Sequence, residues 1–277
     1  MPPKPTPKTI EVVPYDPLWP QLFQKEETLI KNALQDNCLE VHHSGSTAVP
    51  GLSAKPVIDI IMVVKDADTA LAPLTLHGYN FKGEFNIPFR SFFKKQNTPK
   101  IHLHMYPEEY QSEVRLNLAF RDYLRTHPEA VTAYTQLKYS LLAQPQAHEK
   151  NNSPFAGYTL GKDPFIRNIL AQTDFHKLRI VHCTHHHEWQ ETEKFRKKYQ
   201  LSLTDFIEIY ASTEHIHLAL YKGITIVGYI HLEVLPQGKI VFHLIALEEA
   251  YENLRQQFLE FCSEWLKKKG YECTRNP

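Results

Sequence analysis

The chain has no surplus charge of either sign: Lys plus Arg and Asp plus Glu each total 31. A positive field over the whole surface, of the kind that draws nucleic acid, is therefore excluded; a local basic groove is not. Long apolar runs are absent too. No stretch approaches the ~18 apolar residues of a membrane span, and the opening MPPKPTPK lacks the apolar centre of a signal peptide. Cysteine is sparse: Cys38, Cys183, Cys262 and Cys273 are far apart and make no CxxC pair. The expectation is a reduced, cytoplasmic protein. No internal repeat is visible. What remains is 42% apolar and 22% charged over 277 residues, enough for one or two globular domains. The 16 histidines stand out; they add positive charge below about pH 6.5.

Hydrophobic periodicity predicts an α+β chain. Residues 1–8 read as a disordered tail. A short strand is expected over Thr9–Val13, then a helix opened by Asp16 as N-cap and Pro17. Trp19, Leu22, Phe23, Leu29, Ile30 and Leu34 form its buried stripe. Leu39–His43 and Val57–Val64 read as buried strands, Asp66–Leu76 as a helix, and Phe89–Phe93 and Ile101–Met105 as further strands. From Ser112 the pattern turns helical. A new helix follows the capping-box spacing of Thr126-His127-Pro128-Glu129, and another follows Asp163-Pro164. After Lys177 the pattern changes again: strand Leu178–Val181, helix His185–Tyr199, hairpin strands His217–Tyr221 and Thr225–Leu235, strand Ile240–Leu247, and a long helix ended by Gly270. The expected division is a tail over 1–8, one domain over 9–175 and a second over 176–277.

The most informative stretch is HHSGSTAVPGLSAKPVIDII, residues 42–61. A Gly45-Ser46 turn follows one apolar strand, and a second apolar strand carries a single acid, Asp59. A backbone-exposing turn beside a strand-borne carboxylate can hold a phosphate next to a metal ion. Two positions on from Asp59, on the same face of the strand, stands Ile61 rather than a second acid. His102 and His104 alternate along Ile101–Met105, so their rings share one face and offer themselves as co-ligands of Asp59. Imidazole donors favour Mn²⁺ or Zn²⁺, whereas Mg²⁺ prefers oxygen.

The order GSTAVPGL then KPVIDI resembles the GrpB-like nucleotidyltransferases, a branch of the DNA polymerase β type. The HLH strand, Phe120-Arg121-Asp122-Tyr123-Leu124-Arg125, the Tyr134…Lys138 helix and Tyr158…Lys162 extend the resemblance over about residues 9–172. It implies a mixed sheet with helices and a metal-dependent transfer from a nucleoside triphosphate to an unknown acceptor. Asp59, Ser46 and Lys55 would be catalytic, with Asp59, His102 and His104 on the metal. Gly45, Ser46, Thr47, Lys55, Arg90, Arg121, Arg125, Lys138 and Lys162 would hold the phosphates. Arg90, Lys94 and Lys95 also read as the basic edge of a strand. The same fold could keep a nucleotide or coenzyme pocket without turnover; the family's occasional association with dephospho-CoA kinase hints at coenzyme A metabolism.

The C-terminal order of strand, helix, hairpin, strand and long helix resembles the GNAT acetyltransferase fold, in HLALYKGITIVGYIHLEV, KIVFHLIAL and FLEFCSEWLKKKGYE. An active GNAT domain holds the pyrophosphate of acetyl-CoA on a glycine-rich turn at the start of its long helix. Here that turn, EEAYENLRQQ, has no glycine and carries Glu248, Glu249 and Glu252. Arg255, Gln256 and nearby amides are what remains for a phosphate, and the closing strands look missing. A degenerate module with a binding role is expected, with acetyl-CoA binding and N-acyl transfer the weaker reading. His185-His186-His187, near His182 and Cys183, reads as a solvated helix end, because successive helical residues diverge by about 100°.

Overall fold

The computed structural model describes residues 10–96, 99–149, 155–198 and 215–273. The tail expected over 1–8, with Thr9, lies outside the described residues. The chain divides into two compact units, Met1–Phe85 with Arg90–Phe175, and His176–Pro277 with Asn86–Phe89. Among the described residues no helix is long and apolar enough to cross a membrane.

The first unit is a mixed five-stranded sheet with helices. Its strands are β1 (Cys38–Ser44), β2 (Val57–Val64), β3 (Asn80–Phe81), β4 (Ser91–Lys95) and β5 (Lys100–Pro107), in the order β1-β2-β5-β4-β3. Only β2 and β5 run parallel; the other pairs are antiparallel. Helices α1 (Trp19–Leu34) and α2 (Ala67–Leu76) pack on one face. There Trp19, Ile30, Leu34 and Leu74 meet Val41, Ile58, Ile60, Met62, Leu103 and Met105. Each large aliphatic side chain removed from water contributes about 1.5–3 kcal/mol before entropy is counted. Helices α3 (Ser112–Thr126), α4 (Pro128–Leu142), α5 (Gly157–Leu160) and α6 (Asp163–Leu170) follow. Leu124, Tyr134 and Ile169 from these helices enclose Val49 and Leu52 of the β1–β2 connection.

β2 is buried along almost its whole length, as a central strand should be. That is why its one acid matters. Register pairs Asp59 with His102 and with Ser44, so all three side chains leave the sheet on the face opposite α1.

Local sequence signals were mostly kept, with corrections at the ends. The strand expected up to Val13 is reduced to one bridge, Val13 to Ala54. Asp16 does not cap α1; its carboxylate accepts Leu18 N–H at 2.9 Å and makes a turn before the helix. Asp66 does cap α2, accepting from Asp68 and Thr69. Thr126 makes no capping box: its hydroxyl turns back to the Tyr123 carbonyl at 3.0 Å. Phe89 lies outside β4, at φ +63 in the turn before it.

The second unit has β6 (Leu178–His182), α7 (His186–Lys198), β7 (His215–Lys222), β8 (Thr225–Leu235), β9 (Lys239–Leu247), α8 (Arg255–Lys268) and β10 (Glu272–Cys273). The sheet order is β10-β9-β8-β7-β6, antiparallel except for β9 with β10. A closing strand is therefore present, though two residues long, where the sequence pointed to none. The long helix starts only at Arg255, because Glu249–Leu254 before it is a 3₁₀ turn. Val181, Phe195, Ala219, Tyr221 and Tyr229 form the core beneath α7.

Candidate functional site

The site is built at the end of β1. Gly45 turns the chain at φ +65, and Ser46–Ala48 continues as a 3₁₀ turn. A Cβ at position 45 would lie 2.3 Å from Asp59 Oδ2, so only glycine lets the turn close over that carboxylate. Asp59 is 31% exposed, and His102 Nδ1 stands 3.4 Å from its Oδ1. Burial acts to raise the Asp59 carboxyl, but the His102 hydrogen bond and the charges of His102, His104 and Lys162 hold it below the usual range.

Three lysines surround this turn. Lys138, 2% exposed, donates to Ser46 Oγ and to the Ser53 carbonyl, both at 2.7 Å. Its ammonium sits 4.3 Å from the Tyr134 ring centre. Lys55 and Lys162 lie 4.4 and 4.9 Å from the Tyr158 ring. Burial, then repulsion from Lys162, pushes Lys138 down to about 6, against the pull of Asp59. Burial and Lys55 bring Lys162 to about 8, and burial lowers Lys55 as well. Among the described residues, Asp59 is the one acid acting on all three. A cluster of desolvated cations around one carboxylate is poised for an anion, because a bound phosphate would offset their mutual repulsion.

The other expected residues fall elsewhere. Thr47 points inward, donating to the Val57 carbonyl at 3.1 Å and meeting His43 Nε2 at 3.1 Å. Arg121 donates to the His43 carbonyl at 2.9 Å and Arg125 to the Ala48 carbonyl at 3.0 Å, so both brace the turn's backbone. Arg90 turns to the Glu84 carbonyl, with its Nη2 at 2.9 Å. The His104 ring packs tilted against Phe92, 4.9 Å between centres, and burial, then Arg90, lowers it to about 3. Among the described residues no group of three or more His, Cys, Asp or Glu side chains converges as a metal site. The structure thus brings together Gly45, Ser46, Lys55, Asp59, His102, Lys138 and Lys162. Lys94 and Lys95 do not form a sheet edge as expected: β4 lies between β3 and β5, and Lys95 pairs with Glu26 at 2.9 Å.

Tyr134 and Tyr158 entered the resemblance only as motif positions, with no role beside the lysines; His43, which is buried, stacks 4.9 Å from Phe23 and supports Thr47, was not singled out at all. Tyr134 and Tyr158 each lie four residues before a lysine of the cluster, a helical spacing that could have flagged them. Behind the turn, Tyr15, Phe23, His43, Ala48, Pro50 and Arg125 line a cavity of about 400 Å³. In the second unit, Arg255 is bound by Glu252 at 2.8 Å and Gln256 by Glu260 at 2.9 Å, so neither projects as an anion ligand.

The first unit is thus a mixed α+β unit that presents a glycine turn, one strand acid and a lysine cluster. The family model for GrpB protein matches residues 9–172, and the chain belongs to the GrpB family. The crystal structure of conserved protein GrpB from Enterococcus faecalis is similar, with a TM-score of 0.51 and 35% identity over 57% of this chain and 94% of that one. A UPF0157 protein of Pseudomonas aeruginosa is 37% identical over 171 residues, covering 59% of this chain and 67% of its own. The UPF0157 protein YqkA of Bacillus subtilis is 32% identical over 164 residues, 58% of this chain and 46% of its own. The chain thus spans about half of that relative's length.

Proposed function

We propose that the first unit binds a nucleoside triphosphate at the Gly45–Ser46 turn and transfers its nucleotidyl group to an acceptor. The observation that carries this reading is the Lys55, Lys138 and Lys162 cluster packed around Ser46 and Asp59. Lys138 positions the Ser46 hydroxyl, and the three cations neutralise phosphate oxygens. Asp59 and His102 are suitably placed to hold a divalent ion. One carboxylate and one imidazole suit Mn²⁺ or Zn²⁺ better than Mg²⁺, with ligand phosphates and water supplying the remaining donors. A bound ion would supply charge neutralisation at the triphosphate.

The test is calorimetric titration of ATP, CTP, GTP and UTP with Mn²⁺, on wild type, Asp59→Ala and Lys138→Met. Saturable binding of at least one nucleotide, weakened in both variants, is expected. Absence of binding by wild type to all four overturns the proposal. One observation favours a second reading, binding without turnover: Ile61 stands where a second acid would sit and is 2% exposed. Mn²⁺-dependent pyrophosphate release separates the two.

For the second unit we infer a GNAT-like module with a binding role. The element order supports the likeness; the acidic 3₁₀ turn before α8 and the Arg255–Glu252 pair disfavour a pyrophosphate there. An acetyl-CoA thermal shift would overturn this.

A further inference from the structure

Unit two carries a ladder of histidines that the proposed function does not use. His215 and His217 lie on β7, His231 on β8 and His243 on β9. Register sets His217 against His231 and His215 against Glu233, so these side chains share one face. His243 falls at the β8–β9 bulge, which brings its ring beside that of His231. His217 is the inner rung. It is 6% exposed, stacks 4.5 Å from His231 and shares a 2.6 Å hydrogen bond with Tyr229.

The outer three rings are arranged differently. Their centroids are 5.0 Å apart for His231–His243, 5.2 Å for His215–His231 and 6.3 Å for His215–His243. His215 Nδ1 faces His231 Nε2 at 3.0 Å, and His243 Nε2 meets Glu233 Oε2 at 2.6 Å. With Zn–N bonds of about 2.0–2.1 Å, two nitrogens on one tetrahedral ion lie about 3.3 Å apart and their ring centres about 5 Å apart. A neutral N–H···N bond explains the 3.0 Å contact alone. It does not explain a third ring and a carboxylate gathered at the same rim.

We propose that His215, His231 and His243, with Glu233, bind a single borderline divalent ion of the zinc class. Imidazole-rich sets with one carboxylate suit such ions. As the structure stands, no three of these donors converge among the described residues. Closure needs His243, 40% exposed, to turn its Nε2 away from Glu233, a motion confined to the surface. The adverse charge is Arg196. Its guanidinium is bonded to Thr192 and to the Trp189 carbonyl and stacks on Tyr229, at the His217 end of the ladder. Glu233 sits at the other end and offsets it.

The test is Zn²⁺ titrated into the full chain by calorimetry, with histidine side-chain ¹⁵N NMR to identify the ring nitrogens that move. Zn²⁺ is expected to shift the ring nitrogens of His215, His231 and His243, apart from any ion held by Asp59 and His102. His215→Gln and His243→Gln, both partly exposed positions, should each weaken this binding about tenfold or more. His186→Gln with His187→Gln should leave it unchanged. Unchanged shifts and affinity in the His215 and His243 variants overturn the proposal, as does loss in the His186/His187 variant instead. The site is independent of the nucleotide reading, so either can fail alone.

Discussion

Lys138 sets its Nζ 2.7 Å from Ser46 Oγ across a separation of 92 positions in the chain. The helical half of the first unit thereby grips the turn that closes over Asp59. This contact also makes the lysine a measurable element of stability.

Lys138 titrates at about 6 in the folded chain, through burial first and Lys162 second, against about 10.4 unfolded. Between those values the unfolded chain holds the extra proton, so stability rises as pH climbs through the window and is lost as pH falls towards 6. Lys138→Met keeps the volume and removes the charge. Urea midpoints across this pH range should flatten in the variant; an unaltered slope would place the depressed titration elsewhere.

Gly45→Ala should be costly. The left-handed φ and the collision with Asp59 together predict a loss of about 2–4 kcal/mol. Denaturant unfolding measures it. A loss under about 0.5 kcal/mol would mean the turn relaxes freely.

Phosphate binding at the lysine cluster should take up protons near neutral pH, because an anion raises the titration of Lys138 and Lys162 from about 6 and about 8. Nucleotide binding enthalpy should therefore differ between Tris and PIPES buffers in the direction of proton uptake. Equal observed enthalpies in the two buffers would show that these lysines do not meet the phosphates.

His43 is held at about 4, by burial first, with Asp59 opposing and Arg125 and Arg121 adding to the depression. Unfolded histidine titrates near 6.5. As pH falls from about 6.5 to about 4 the unfolded chain gains a proton that the folded chain refuses, so stability declines. His43→Gln retains a partner for Thr47 and should make thermal stability less sensitive to mild acid. Identical pH dependence of Tm in variant and wild type would argue against a neutral buried His43.

The first unit's strands and helices were legible because each reports itself within a few residues. β2 reads as a continuous apolar run and α1 as a 3.6-residue stripe, and Asp59 is conspicuous for interrupting that run. Ends were less legible: Asp16 and Thr126 bond to neighbouring backbone groups instead of capping, an option open to both residue types. Among site residues, those in or beside the Gly-Ser turn were found together. Arg90, Arg121 and Arg125 share their charge with Lys138, but each donates to a backbone carbonyl, and Arg121 and Arg125 also pair with Asp122. Nothing in composition distinguishes a cation that braces a turn from one that faces a ligand.

By itself the sequence determined the alternation of strands and helices, the glycine turn and the lone strand acid, because periodicity and turn chemistry act over a few neighbouring residues. Tertiary structure alone decided that Lys138 of α4 and Lys162, in the turn before α6, would be desolvated around Ser46 and Asp59. It alone brought His215, His231 and His243 from three strands to one rim. Strand register and helix packing join positions far apart in the chain, and the degree of burial there sets how strongly each charge is felt.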